Sequence, residues 1–207
     1  FIPNPMHVYR TAGVLAGLGL SYGGATTEED VVGLIFADQG IDLSKISGDI
    51  KIVSYLQGYG DTTTDEINAA IQAAPEAFIS VGMATTFFTQ QLNAAGIEFS
   101  DIDSFTKSNG EAITNGKLVY LAGKYSSSVG PAFALVMNAI NGNVIRDAQG
   151  NAVSLSQNYQ VATDSETFDK FYKNDNGDNP IYSRDTLDQI IGDTVTFDTI
   201  NEVVASN

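Results

Sequence analysis

No cysteine occurs in the 207 residues, which excludes disulfides, thiolate catalysis and zinc–sulfur sites together. Basic residues are scarce: 10 Lys plus Arg stand against 25 Asp plus Glu, a formal net charge of −15. A chain of that sign repels phosphate backbones and anionic membrane surfaces, so nucleic acid is not an expected partner. Apolar runs are all far shorter than a bilayer span, and no basic-then-apolar signal segment opens the chain. Histidine is almost absent too. His7 stands beside Val8 and Tyr9, and a lone histidine builds neither a Ser–His pair nor a multi-histidine metal site, so it reads as a packing or surface residue.

What is present is a globular composition, 43% hydrophobic, in which strand-like and helix-like patterns alternate. PMHVYRTAGVLAGLGL, residues 5–20, reads as a helix with Pro5 in its first turn and a small-residue face of Ala12, Gly13, Ala16 and Gly17 suited to close approach on a sheet. DVVGLIFAD (30–38) reads as a short buried strand, followed by a loop with at most one helical turn, and IKIVSYLQ (50–57) as a second strand. A helix starts at Thr63 or Thr64, with Asp65 and Glu66 in the first turn where the helix dipole favours acids. EAFISVGM is a third strand, ATTFFTQQLNAAG a helix closed by Gly96, and IEFSDIDSF a fourth strand. A short helix lies in NGEAITNGKL, then the strand KLVYLAG, then a helix over 129–140 carrying no charge. Residues 141–155 read as a turn-rich hairpin and SQNYQVAT as a further strand. Helices follow at 164–173 and after Ser183. The expected fold class is α/β, a three-layer α/β/α arrangement with a mainly parallel sheet.

Open α/β sheets bind ligands beyond the carboxyl ends of their strands. Those ends carry Asp38, then Tyr59 and Asp61, Val81-Gly82-Met83, Asp103-Ser104, and Lys124-Tyr125. Asp101 and Asp103 fall on one side of a strand, where acid/base work is conceivable and a solvated strand end is the plainer account. Ser104-Phe105-Thr106-Lys107 fits the S-x-x-K pattern of acylases, in which Lys activates Ser, without that group's partner motifs. KNDNGDNP brings Asp175, Asn176 and Asp178 together, but lacks the full calcium-loop spacing and its closing Glu; it reads as a polar turn. No glycine loop shaped to cradle phosphate is present, and no cofactor or metal is expected.

From residue 75 onward the order of elements resembles type I periplasmic solute-binding proteins, in particular the ribose-binding-protein-like sugar group. The matching features are the turn Asn115-Gly116-Lys117-Leu118, Gly130 at the start of a long helix, and Asn141-Gly142 at its end. The resemblance extends more weakly to residues 3–74. It implies a periplasmic-binding-protein-like lobe over 1–123, a hinge crossing and helix belonging to the other lobe over 124–155, and a hinge strand with a C-terminal extension over 156–207. It also implies that an N-terminal lobe precedes this segment in the whole protein and covers the second face of helix 129–140.

By the same resemblance, Asp103 or Ser104 stands where the family has a sugar-binding Asp, and Lys124 where it has a polar contact. Val81-Gly82 replaces a usual Asn-Asp, and the loop 38–49 replaces a helix that brings an Arg to the ligand. The function implied is non-enzymatic: an extracytoplasmic lipoprotein or periplasmic receptor. It would close two lobes over a small polar solute, expected to be a carbohydrate, and present it to an ABC transporter permease. Two alternatives are the effector-binding core of a LacI-type transcription regulator, which shares the fold, and a serine hydrolase using Ser104 and Lys107.

Overall fold

The computed structural model describes residues 4–56, 63–103, 105–124, 126–175 and 179–206. Among these the chain is α/β, with a mixed, mostly parallel four-stranded sheet. It divides into two compact units: residues 1–102 with 115–119, and residues 103–114 with 120–207.

In the first unit, α1 (Pro5–Gly17) is capped by Asn4, whose side chain accepts from the Met6 N–H. It packs on α2 (Glu28–Asp38) through Val8, Ala12 and Leu15 meeting Val31, Val32 and Ile35. Two sequence expectations change here. The small-residue face does not meet a sheet: Ala12 is buried on the helix α2 side, while Gly13, Ala16 and Gly17 are exposed. DVVGLIFAD is a helix rather than a strand. Thr27 caps it by accepting from the Asp30 N–H and its first turn holds Glu28, Glu29 and Asp30, so capping and dipole decide what a short apolar run leaves ambiguous.

A two-stranded antiparallel sheet follows, β1 (Ser21–Tyr22) against β2 (Ile46–Ser47), with a single 3₁₀ turn at Leu43–Lys45 between α2 and β2. IKIVSYLQ does not make the expected strand over its described residues, 50–56. Ile52 packs instead against the core formed by α1, β1 and α2. The unit continues through α3 (Thr63–Gln72), β3 (Ala77–Ile79), α4 (Ala84–Phe87), α5 (Thr89–Ala95) and β4 (Glu98–Ile102). β3 and β4 are parallel, with Phe78 opposite Phe99. Gly96 ends α5 with φ 72°, the left-handed conformation for which glycine carries no Cβ penalty.

In the second unit, α6 (Lys107–Thr114) precedes β5 (Leu118–Gly123), a strand that begins in the first unit and ends in the second. The Phe99 N–H donates to Lys117 O, Asp103 N–H to Ala122 O and Phe105 N–H to Lys124 O, so the register rises in step and β4 and β5 run parallel. α7 (Gly130–Ile140) follows a 3₁₀ turn at Ser126–Val129. Residues 141–155 hold one bridge, Arg146 to Ala152, around a turn closed by the Asp147 carboxylate, less than a full hairpin. β6 (Gln160–Ala162) pairs antiparallel with β5, giving the sheet order β3-β4-β5-β6.

The chain closes with α8 (Ser165–Asp175), α9 (Arg184–Asp188) capped by Ser183, and α10 (Phe197–Ala205), which the sequence patterns did not single out. Ala134 of α7 meets Ile190, Ile200 and Val204 in one core. The Phe105 ring packs on Phe168 and Phe171, with centroids 5.5 and 5.4 Å away. No helix among the described residues is long and apolar enough to cross a membrane.

Candidate functional site

At the carboxyl end of β3, in the first unit, the chain is clasped rather than open. Ser80 Oγ donates to Gly82 O and accepts from the Gly82 N–H, both at 3.0 Å. Arg10 of α1 donates to Val81 O at 2.8 Å, and His7 lies alongside Gly82. Burial first, and then the Arg10 charge, hold the His7 imidazole below its ordinary pKa.

Asp101 is not a solvated strand-end carboxylate. It is wholly buried and accepts the backbone N–H groups of Ala84 (3.0 Å), Thr85 (2.9 Å) and Ile102 (2.9 Å), with Ser80 Oγ at 3.4 Å. Met83, at the N-cap of α4 with φ 60°, offers no side-chain cap, so the neighbouring strand supplies the acceptor the helix start needs. That carboxylate is structural.

Asp38 ends a helix, not a strand. Its carboxylate accepts from Tyr22 Oη at 2.7 Å and is ion-paired with Lys45 at 2.6 Å, bonds that hold it below the usual carboxylate range, Lys45 contributing most. Tyr22, fully buried, has its phenol pushed up to about 12, chiefly by desolvation and then by the Asp38 bond. This cluster ties α2 to β1 and the turn before β2. Tyr59, Asp61, Ser104 and Tyr125 lie outside the described residues, as do Asn176 and Asp178 of the polar turn.

In the second unit the structure brings two of the expected residues to neighbouring strand ends. Asp103 follows β4 and Lys124 follows β5, and both are half-buried. The strands approach so closely here that a Cβ on Gly123 would fall 1.8 Å from the Asp103 carbonyl oxygen, so only glycine fits. Lys124 Nζ donates to Gln157 O and Asn158 O, each at 2.8 Å, and stands 5.2 Å from the centre of the Tyr159 ring. Desolvation lowers its pKa from the ordinary lysine value.

The carbonyl-bearing residues Gln157 and Asn158 line a cleft of about 290 Å³ together with Tyr159, Gln160, Tyr182 and Ser206, and Val204 and Ala205 add an apolar wall. Gln157 Nε2 donates to Ser128 O at 2.9 Å and lies 3.5 Å from Tyr182 Oη. Amides, hydroxyls and ring faces are all neutral, so the cleft offers directional hydrogen bonds and stacking surface to a polar molecule rather than a charge to an ion. Sequence reasoning reached Lys124 from its place at a strand end. It missed 157–160, Tyr182 and Ser206, because the strand pattern SQNYQVAT carries no sign of what packs beside it.

No family model, curated protein or solved structure matches the chain. Lys107, the base of the S-x-x-K reading, opens α6 on the surface, 3.7 Å from Glu111 in an i,i+4 pair. Among the described residues no three His, Asp or Glu side chains come together as a metal site.

Proposed function

We propose that the chain is a binding protein for a small, neutral, polar solute, of the kind type I periplasmic solute-binding proteins deliver to an ABC transporter. The observation that carries the reading is the neutral cleft beside Lys124, at the carboxyl end of a parallel strand, lined by three side-chain amides, two tyrosines and a serine. Ligands of open α/β sheets bind at such strand ends. Asp103 stands at the neighbouring strand end, within the run whose order resembles that family: β4, α6, β5, a short turn, and α7 ending at Asn141-Gly142.

A carbohydrate is the proposed ligand, because planar amides pair with vicinal hydroxyls while a tyrosine ring stacks on the apolar face of a pyranose. An acidic chain repels phosphorylated or carboxylated solutes, which favours neutral ones. Work outside the cytoplasm, with a permease as partner, belongs to the same proposal.

The test is a thermal-shift screen against pentoses, hexoses and nucleosides, followed by calorimetry. A ligand at about a hundred times its Kd stabilises by about 2.7 kcal/mol, a rise in Tm of roughly 5–10 °C for a chain of this size. Gln157→Ala, in the cleft lining, should abolish the shift, and Lys124→Gln, which releases the Gln157 and Asn158 carbonyls, should weaken it. If no neutral solute moves Tm, or the variants bind as the native chain does, the reading is wrong.

A further inference from the structure

We infer that Lys124 is a positioning residue of the cleft: it holds the wall at 157–159 in shape and makes no contact with the solute. The inference rests on the solute-binding reading of that cleft. The resemblance to the sugar binders implies a ligand contact at Lys124, and the geometry gives it another task. Lys124 is not among the described residues that line the cleft, but it bonds two that are.

The wall needs such a hold. β6 pairs with β5 in the register Gly123↔Gln160, and the ladder stops there. One step further would set Lys124 opposite Tyr159, but residues 153–159 belong to no helix or strand, so the wall's main chain has no ladder to keep it in place. The Lys124 ammonium takes over. Gln157 O and Asn158 O each accept from it at 2.8 Å, and the centre of the Tyr159 ring lies 5.2 Å from Nζ. An ammonium has three N–H donors, so two carbonyls and a ring absorb most of what it could offer a ligand.

Both ends of this hold are fixed. Lys124 leaves the strand directly after Gly123, where the close approach of the Asp103 carbonyl gives the backbone one place to be. The wall is tied a second time to the same stretch, by Gln157 Nε2 donating to Ser128 O at 2.9 Å. Fixing the carbonyls of 157 and 158 also fixes where the Gln157 amide and the Tyr159 ring stand, the groups that a sugar's hydroxyls and apolar face would meet. What the hold requires is a cation with several donors. A guanidinium supplies that too, whereas methionine keeps the apolar stem and loses it.

Lys124→Met and Lys124→Arg in the full chain test this in two arms. With no ligand present, amide exchange at 157–160 should quicken about tenfold or more in Lys124→Met and stay native in Lys124→Arg, with the same circular dichroism in both. With D-ribose, D-glucose and D-galactose as probes, calorimetry should show Lys124→Met weakening every sugar that the native chain binds by one common factor, about tenfold or more. Their rank order should be kept, and Lys124→Arg should restore each to within about threefold. A lysine that touched the sugar would change the rank order, because each sugar sets its hydroxyls differently. A lysine that only added stability would lower Tm and leave the affinities alone. Native exchange at 157–160 in Lys124→Met, an altered rank order, affinities unchanged in Lys124→Met, or no rescue by Lys124→Arg overturns the inference. Faster exchange in Lys124→Met together with no sugar bound by the native chain overturns the carbohydrate reading and upholds Lys124 as the residue that holds the wall.

Discussion

Asp101→Ala tests whether a buried carboxylate holds the first unit together. The substitution removes the side-chain acceptor bonded to the N–H groups of Ala84 and Thr85, and a third bond to Ile102, all within 2.9–3.0 Å. A hydrogen bond to a charged group contributes about 1.5–3 kcal/mol, and a donor left buried without a partner costs about 1–3 kcal/mol. Those figures overlap and are not additive, so the expected loss is about 3–5 kcal/mol, from about a fifth of the stability of an ordinary domain upward. Asp101→Asn keeps one acceptor oxygen but turns an NH₂ toward the remaining donors, and should lose about half as much.

Urea unfolding followed by amide exchange separates this effect from the second unit. With an m-value of about 2 kcal/mol per M, the first unit's midpoint should fall by about 2 M, and the amides of Ala84 and Thr85 should lose protection with it. A loss under about 1 kcal/mol for Asp101→Ala, or unchanged protection at those amides, would refute the assignment of Asp101 as the cap of α4.

Asn138→Ala in the second unit strands the Gly192 N–H and the Ile190 carbonyl, and should cost about 2–4 kcal/mol in urea unfolding, far more than an exposed asparagine would. Gln39 caps α2 with φ 57° and is exposed, so Gln39→Gly should stabilise the first unit by about 0.5–1 kcal/mol, read as a raised midpoint. For pH, the Tyr22 phenol at about 12 in the folded chain lies above its unfolded value. Unfolding therefore releases a proton in alkali: the stabilisation is intact below pH 10 and is lost as pH rises toward 12. Tyr22→Phe should remove that part of the alkaline slope and leave the part due to Tyr55, whose phenol burial also raises, as ultraviolet titration and unfolding at several pH values would show. Gly123→Ala should unfold or distort the end of β5, since its methyl would meet the Asp103 carbonyl oxygen, and exchange protection across 120–123 would report it.

Much of the α/β alternation after residue 63 is legible in the sequence because it rests on local signals. Thr63 with Asp65 and Glu66 starts a helix, Gly96 stops one, and the apolar runs at 77–79, 98–102 and 118–123 sit between turn residues. Those signals act within a few residues, through capping, dipole and backbone freedom, so they survive without knowledge of the fold. Before residue 63 they fail where two local readings compete. DVVGLIFAD fits a buried strand by composition, and the Thr27–Asp30 cap one turn upstream makes it a helix.

The site shows the same division. The strand positions put Asp103 and Lys124 at adjacent ends, which the order of elements by itself determined. Whether a polar side chain at a strand end faces solvent, caps a helix or grips a loop depends on which backbone groups arrive from elsewhere. Asp101 and Asp103 stand two residues apart at the end of β4, yet the N–H groups of α4 bury the first as a cap. Lys124 is bound by carbonyls from 157 and 158, more than thirty residues away, and Asp38 by Tyr22 and Lys45. Periodicity sets which elements form, because it is a property of neighbouring residues. The partner of each polar group is decided only by the tertiary structure, because an unsatisfied buried donor or acceptor is too costly to leave and its partner comes from wherever the chain has folded.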